Sequence, residues 1–219
     1  MRPIIVFLLG LCAYAQTIPS PGPGMYPSVV SCTSGACSDS FTGTANTLLA
    51  THDSHWAGNS AGNCKLSGSS TVWTSTSYLT CGASYTASTS DTSQVVVSGF
   101  TGGTSPTSKG VTLRVDPAFT VSYWLYLGTP SGGNWTRCAI FKTGVSKVTT
   151  TVSFSQSVDH TIKAVASGTN PVVLTLYVDG SSACTYTDSS SPLSAGYPGI
   201  VVAGNGTNAN NTLSAWQDH

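Results

Sequence analysis

Short segments rich in Val, Thr and Tyr follow one another through most of this sequence, separated by turn-forming residues. The clearest are QVVVSGF (94–100), VTLRVDP (111–117), VSYWLYLG (121–128), CAIFKTG (138–144), VTTTVSF (148–154), TIKAVASG (161–168), VVLTLYVDG (172–180) and ACTYTD (183–188). No segment sustains the apolar period of about 3.6 residues that an amphipathic helix needs. Many short strands with regular turns predict an all-β protein, either a two-sheet sandwich or a barrel.

Strict alternation within four of these strands assigns their side chains to two faces. The sets that we predict to face the core are Val111, Leu113 and Val115; Val121, Tyr123, Leu125 and Leu127; Ala139 and Phe141; and Val172, Leu174, Leu176 and Val178. The opposite faces carry aromatic and cationic side chains, namely Arg114, Trp124, Tyr126, Lys142 and Tyr177.

These five residues are our candidate ligand-binding surface. Sugars present apolar ring faces edged by hydroxyl groups, which aromatic rings beside hydrogen-bond donors can match. The alternative is that a second layer or a loop covers this face, so that its aromatic side chains serve packing.

The charge composition argues against nucleic acid as a partner. Eight basic and eight acidic residues give a formal net charge of +0, and charged residues make up only 7% of the chain. No basic stripe that could bind nucleic acid is present. The polar remainder is dominated by Ser, Thr, Gly and Asn, which suits an extracellular β protein.

The first 15 residues read as a secretory signal peptide. Arg2 supplies the positive charge, residues 3–14 are apolar, and Ala13-Tyr14-Ala15 is a small-x-small cleavage site. No other stretch is long and apolar enough to cross a membrane. We therefore predict an exported protein, secreted or at the cell surface, with a Pro/Gly-rich leader at 16–37 and one β domain at 38–219.

Cysteine usage fits export. Cleavage before Gln16 removes Cys12 and leaves an even number of cysteines: Cys32, Cys37, Cys64, Cys81, Cys138 and Cys184. Such a set predicts disulfides in an oxidising compartment. Sequence does not determine the connectivity, but pairing near neighbours joins Cys32 to Cys37, Cys64 to Cys81 and Cys138 to Cys184. A zinc site is the alternative, although tight CxxC pairs are lacking.

The order of several features resembles the concanavalin A-like lectin/glucanase sandwiches, also called laminin G-like, of exported bacterial proteins. These features are DSF (39–41), TLLATHDSHW (47–56), VTLRVD, YWLYLG…CAIFKTG, HTIKAVASGTNPVVLTLYVDG (160–180), TDSSSPLSAGYPGI (187–200) and LSAW (213–216). The resemblance implies a jelly roll of two antiparallel sheets, one of them concave, with ligands on that face or on the rim loops. It also implies that the first and last strands lie side by side, bringing Asp39 near Asp218.

This fold hosts lectins, enzymes and adhesion modules, so the function must come from the site. Our interpretation is an exported, non-catalytic module that binds a glycan or polysaccharide, or mediates cell-surface adhesion. One alternative is a polysaccharide-active enzyme, a lyase or an atypical hydrolase. Another is an extracellular structural protein that associates with copies of itself; the sequence does not determine the oligomeric state.

The absence of glutamate argues against catalysis. Glucanases of the family that this chain resembles carry paired glutamates on one strand in a Glu-x-Asp-x-x-Glu pattern, and glycosidases generally need two carboxylates. This chain contains no glutamate and no Asp-x-Asp pair. A Gly-x-Ser-x-Gly elbow is absent as well, so we name no catalytic residue.

The stretch LLATHDSHWAGN (48–59) carries chemically versatile side chains. A metal site would use His52, Asp53 and His55, but residues three apart on a strand point to opposite faces. The favoured interpretation is structural, with Trp56 plugging one end of the core; sugar stacking by Trp56 is the alternative.

Calcium is the one cofactor that the resemblance suggests, through Asp39 and Asp218. Carboxylate and backbone oxygens are its usual ligands. The favoured alternative is that both aspartates accept hydrogen bonds from loop backbone, with no cofactor bound.

Overall fold

The computed structural model describes residues 30–33, 36–58, 64–68, 72–74, 80–97, 108–116, 118–203 and 213–218. At residues 30, 33, 72–74, 80, 81 and 130 it describes the backbone alone. The predicted signal peptide and the first part of the predicted leader lie outside these ranges and stay predictions.

The described residues form strands β1 to β16 and one short helix. In order, the strands are Val30–Thr33, Ala36–Asp39, Trp56–Ala57, Cys64–Leu66, Val72–Thr74, Thr80–Tyr85, Thr92–Val97, Ser108–Val115, Tyr123–Ser131, Asn134–Lys142, Val145–Ser155, His160–Ser167, Val172–Val178, Ser181–Asp188, Tyr197–Ala203 and Leu213–Gln217. Helix α1, Leu49–His52, lies between β2 and β3. It is too short to span a membrane, and the described part of the chain holds no helix that could.

The strands build two sheets. The seven-stranded sheet has the order β11-β10-β9-β8-β15-β6-β3. The nine-stranded sheet has the order β1-β2-β16-β7-β12-β13-β14, with β5 beside β16 and β4 beside β5. The predicted all-β, antiparallel two-sheet sandwich is confirmed.

The nine-stranded sheet extends into the segment for which the sequence predicted a leader. Strands β1 and β2 form a hairpin that pairs Cys32 with Cys37. Strand β2 then pairs with the C-terminal strand β16, setting Asp39 opposite Trp216. The sandwich therefore includes residues before position 38, because the hairpin continues the sheet beyond β16.

The core lies between the sheets and follows the alternation of most strands. Leu113 of β8, Leu125 of β9 and Leu174 of β13 are fully buried in it, as predicted. The prediction for β10 is inverted: Cys138 and Ile140 face the core, whereas Phe141 packs on the outer side. Alternation defines two sets of side chains in a strand, and only packing decides which set is inside.

Two of the disulfides expected from near-neighbour pairing are confirmed. Cys32 bonds Cys37 within the first hairpin, and Cys138 of β10 bonds Cys184 of β14. The second bond joins the two sheets through the core. Cys64 is also disulfide-bonded, and its predicted pairing with Cys81 stays a prediction because the side chain at position 81 is not described.

Candidate functional site

Aromatic side chains gather on the outer side of the seven-stranded sheet, along β9 and β10. The register sets Trp124 beside Phe141, and Tyr126 beside Ala139. These residues alternate with core residues of the same strands, so they point away from the sandwich interior. With Arg137 of β10 they form what we call the aromatic face.

Tyr126 is the centre of this face and is itself nearly covered, at 6% exposed. Its ring lies 5.4 Å from the Phe141 ring and 5.6 Å from the guanidinium carbon of Arg137. One guanidinium nitrogen of Arg137 lies 3.4 Å from the Tyr126 hydroxyl, at the long end for a hydrogen bond. Burial raises the pKa of Tyr126 even though Arg137 opposes the shift. The phenol therefore stays neutral and can both donate and accept hydrogen bonds.

Arg137 has unused hydrogen-bonding capacity. Its Nε is buried and finds no partner among the described residues. The side chain as a whole remains partly exposed. The partly exposed guanidinium, fixed over a ring, is suited to holding hydroxyl or carboxylate oxygens of a ligand through its terminal nitrogens.

Trp124 extends the face towards the loop that joins β8 to β9. Its indole Nε1 donates a 2.7 Å hydrogen bond to Ser122 Oγ, which fixes the ring orientation. Phe119 of the loop lies 6.3 Å from it, centroid to centroid. Trp124 is partly buried, whereas Phe119 is 6% exposed. The indole thus keeps an accessible surface beside a ring that is nearly covered.

Two buried glycines form part of the floor beside these rings, where Val201 of β15 packs in the same outer cluster as Tyr126. Gly110 of β8 lies opposite Tyr126, and Gly199 of β15 lies opposite Thr112. A Cβ atom at Gly110 would come within 2.1 Å of the Leu125 carbonyl oxygen. At Gly199 it would come within 2.0 Å of the Ala83 carbonyl oxygen. The neighbouring strands therefore leave no room for a side chain at either position.

Arg114 does not belong to the aromatic face, which corrects the sequence prediction. It is 1% exposed. Its guanidinium makes two 2.7 Å hydrogen bonds to Asp91 and also donates to the Leu193 and Gly168 carbonyls. Hydrogen bonding to Asp91 raises the pKa of Arg114. The residue fastens the loop before β7 and the loop before β15 to β8, so it is not available to a ligand.

Lys142 has a similar structural role. Its Nζ lies 2.7 Å from Asp188 Oδ2 and also donates to the carbonyls of Ser190 and Ser191. Asp188 is buried and accepts a 2.6 Å hydrogen bond from Tyr123. Burial opposes ionisation of Asp188, but the bonds from Lys142 and Tyr123 lower its pKa. The lysine therefore neutralises a buried carboxylate instead of facing a ligand.

Tyr177 lies on the other sheet. It belongs to β13, where it pairs with Lys163 of β12. Since Leu176 and Val178 on either side of it are buried in the core, Tyr177 points outward from the nine-stranded sheet. The five predicted residues are thus distributed over three places, and only Trp124 and Tyr126 lie together.

Two members of the aromatic face were missed by the sequence prediction. Phe141 was placed in the core because the faces of β10 were inverted, and Arg137 was not considered. A signal was available: a cysteine at 138 that bridges to another strand must face the interior, which sends Arg137 and Phe141 outward.

The stretch 48–59 is structural in its described part. Trp56 is 1% exposed and makes edge contacts with Tyr85 and Trp216, at centroid distances of 5.1 and 4.9 Å. Its indole Nε1 donates to Asp39 Oδ2. His52 and His55 bind different carboxylates, those of Asp39 and Asp53. They do not converge on a common metal position.

Asp39 and Asp218 act as hydrogen-bond acceptors. Asp39 Oδ1 accepts from the Phe41 backbone and lies 3.0 Å from His52 Nε2. Asp218 accepts from the Cys37 backbone. Its Oδ2 is buried without a partner, but no group of three metal-ligating side chains occurs among the described residues. Both carboxylates thus accept hydrogen bonds from backbone N–H groups, and calcium binding stays a prediction.

No carboxylate lies on the aromatic face. All eight acids are aspartates, and each lies on a rim, in a turn or at a strand end: Asp39, Asp53, Asp91, Asp116, Asp159, Asp179, Asp188 and Asp218. An acid/base pair across a glycosidic bond needs two carboxyl groups facing one cleft. The aromatic face lacks the groups for hydrolysis by that mechanism.

Comparison with solved structures identifies the architecture. A β-agarase A solved in complex with oligoagarose has a TM-score of 0.52 at 12% identity, covering 82% of this chain and 88% of that one. A prokaryotic β-1,3-1,4-glucanase (lichenase) derived from a mouse hindgut metagenome has a TM-score of 0.50 at 13% identity, covering 84% and 96%. The fold is concanavalin A-like.

This concanavalin A-like fold agrees with the sequence resemblance. A carbohydrate-binding module from Bacillus subtilis is a more distant neighbour, with a TM-score of 0.47 at 14% identity over 84% of this chain and 96% of that one. At such identities the likeness shows the fold alone. No family model matches the chain, and no curated protein sequence matches it significantly.

Proposed function

We propose that the protein is a non-catalytic carbohydrate-binding module whose aromatic face holds a glycan chain. The observation that carries the proposal is a row of three rings on one outer face: Trp124 lies beside Phe141, and Phe141 lies 5.4 Å from Tyr126, which in turn lies 5.6 Å from the Arg137 guanidinium. Rings supply surfaces for the apolar faces of sugars, and the guanidinium supplies donors for their hydroxyl oxygens.

The partly exposed members of the face, Trp124, Phe141 and Arg137, are the ones that a glycan can reach, since Tyr126 is 6% exposed. Trp124 is held by Ser122 and Tyr126 by Arg137, so these rings are positioned before any ligand arrives, which limits the entropy lost on binding.

The non-catalytic part of the proposal rests on the carboxylates. The chain has no glutamate. The buried aspartates Asp39 and Asp188 already accept hydrogen bonds from neighbouring side chains. Such a face would bind a glycan without cleaving it. A module of this kind would act outside the cell, and disulfides such as Cys138–Cys184 support export because they form in oxidising compartments.

The test is affinity electrophoresis of the folded protein through gels that contain one neutral polysaccharide each, among them β-glucans, agarose and xylan. We expect at least one of them to retard the protein. Trp124→Ala should weaken binding by about 2 kcal/mol or more, as loss of an aromatic anchor does, which is roughly a thirtyfold rise in Kd. Arg137→Gln should weaken it while changing the ring surface less.

Lys65→Gln is the matched control for Arg137→Gln, since it removes a partly exposed cation of β4 in the other sheet. It should leave retardation by the neutral polysaccharide unchanged. The proposal fails if no polysaccharide retards the protein, or if Trp124→Ala and Arg137→Gln, both shown to be folded by circular dichroism, bind as the wild type does.

A further inference from the structure

A continuous row of polar side chains crosses the outer side of the nine-stranded sheet. The register aligns one outward residue on each of six neighbouring strands: Ser38, Gln217, Gln94, Lys163, Tyr177 and Ser182. Neighbouring strands lie about 4.8 Å apart, so the row extends over about 24 Å. We call it the polar row. It lies on the side of the sandwich opposite to the aromatic face.

The middle of the polar row is a depression. Its volume is about 340 Å³, and it is lined by Gln94, Thr161, Lys163, Val165, Tyr177 and Gly180. Gln94, Lys163 and Tyr177 are all partly exposed. A ligand can therefore reach an aromatic ring, an ammonium group and an amide within one concavity.

Lys163 carries the one charge among the residues that line this depression. No ion pair to Lys163 occurs among the described residues. The carboxylate at the nearby turn, that of Asp179, lies 2.6 Å from His160 Nδ1 and accepts a 2.9 Å hydrogen bond from the Thr161 backbone. Asp179, whose side chain is 52% exposed, is thus held by groups at the end of the depression, and Lys163 is the charged group that lines it.

We propose that the polar row is a second glycan-binding surface and that it takes an anionic polysaccharide laid across the strands. The Tyr177 ring would pack against a sugar face, Lys163 would pair with a carboxylate or sulfate group, and Gln94 would exchange hydrogen bonds with hydroxyls. This surface is separate from the aromatic face, and the inference does not depend on the function proposed for that face.

The test compares acidic probes with a neutral one by isothermal titration calorimetry. The acidic probes are oligogalacturonates and sulfated galactan oligomers; the neutral probe is the fully methyl-esterified oligogalacturonate, which has the same sugar rings without the charge. We expect an acidic probe to bind more tightly than the methyl ester, and this difference to shrink as salt is raised. The acidic probe that binds more tightly shows whether carboxylate or sulfate is recognised.

Lys163→Gln should raise the Kd for that probe about fivefold, the range of a partly exposed ion pair, and remove the preference over the methyl ester. Lys147→Gln is the matched control because Lys147 is an exposed lysine of β11 on the other sheet. Tyr177→Ala should weaken both charged and neutral probes. Arg137→Gln on the aromatic face should leave the preference in place.

Three results would overturn the proposal. One is that neither acidic probe binds. Another is that the methyl ester binds as tightly as the acidic probes. The third is that Lys163→Gln has no more effect than Lys147→Gln. Loss of the charge preference in Arg137→Gln alone would assign anion binding to the aromatic face and overturn the proposal as well.

Discussion

The indole nitrogen of Trp56 donates a 2.7 Å hydrogen bond to Asp39 Oδ2, and both side chains are 1% exposed. This bond ties β3 to the strand that pairs with the C-terminal strand. It places a carboxylate against the aromatic cluster of Trp56, Tyr85 and Trp216, where an apolar end to the core would otherwise be expected.

The first prediction follows from that bond. Asp39→Asn replaces an acceptor-only group by one that also carries an NH2, so a donor would remain unpaired in a buried site. We expect the free energy of unfolding to fall by about 1–3 kcal/mol, measured by denaturant titration. Trp56→Phe keeps a ring and removes the donor, and a double-mutant cycle should show coupling of about 0.5 kcal/mol or more. Additive effects would contradict the prediction.

The second prediction concerns Lys109, which is fully buried on β8 with its Nζ 5.7 Å from the centroid of the Trp135 ring. Burial lowers its pKa to about 7, although Asp159 opposes the shift. In the unfolded chain this pKa lies near 10.5. Between these values only the unfolded state binds the proton, so the free energy of unfolding should rise with pH, by up to about 1.4 kcal/mol per pH unit.

The measurement is a series of urea titrations from about pH 7.5 to about pH 9.5, below the range in which unfolded tyrosines ionise. Lys109→Met should flatten the dependence, whereas Lys147→Met, at an exposed position, should not. An unchanged slope in Lys109→Met would show that another group causes the pH dependence.

The third prediction separates the two described disulfides by the lengths of chain that they close. Cys138–Cys184 spans 46 positions and Cys32–Cys37 spans 5. Loop-closure entropy assigns about 4 kcal/mol to the first and about 2 kcal/mol to the second. Replacing both cysteines of the Cys138–Cys184 pair by Ala should therefore lower the free energy of unfolding more than the same change at Cys32 and Cys37. The reverse order, measured by urea titration, would contradict the loop-length account.

The fourth prediction compares two tryptophans. Trp56→Ala should lower the free energy of unfolding by about 3–5 kcal/mol, as truncation of a buried aromatic side chain does. Trp124 is partly exposed, so Trp124→Ala should cost less stability but weaken glycan binding. Thermal denaturation of both variants measures the loss of stability, and affinity electrophoresis measures the loss of glycan binding. Greater destabilisation by Trp124→Ala would mean that the aromatic face is part of the packing.

The fifth prediction is that the protein does not cleave the polysaccharide it binds. Reducing-end and unsaturated-product assays should show no sustained turnover, since no pair of carboxylates lies on the aromatic face. Turnover that disappears on an Asp→Asn change would show an atypical hydrolase or lyase instead.

Much of the fold could be predicted from the sequence because the alternation of apolar and polar residues and the turn-forming residues are visible within short segments. The faces of β8, β9 and β13 and two disulfides followed from that information. The site was harder to predict because it depends on which strands become neighbours. Tyr177 alternates like Trp124, yet it belongs to the other sheet.

Arg114 shows a second limit. In β8 the pairing with β15 shifts register between Tyr197 and Gly199, and Arg114 has a φ of 50°. This irregularity interrupts the alternation at Arg114, one residue before the end of β8. The side chain is thereby directed to Asp91 at the rim instead of to the aromatic face, and a pattern of period two contains no sign of such a change.

The glycine floor has a consequence for how this face can evolve. A Cβ atom at Gly110 or Gly199 would collide with a neighbouring backbone carbonyl, so any larger residue there must distort the sheet before it can touch a ligand. Trp124, Arg137 and Phe141 stand on the opposite margin and carry no such restriction. In a library that randomises all five positions and is selected for a new sugar, accepted changes should accumulate on β9 and β10 alone. The glycines of β8 and β15 would stay the same in every selected variant, and the residues of β9 and β10 would determine which sugar each variant binds.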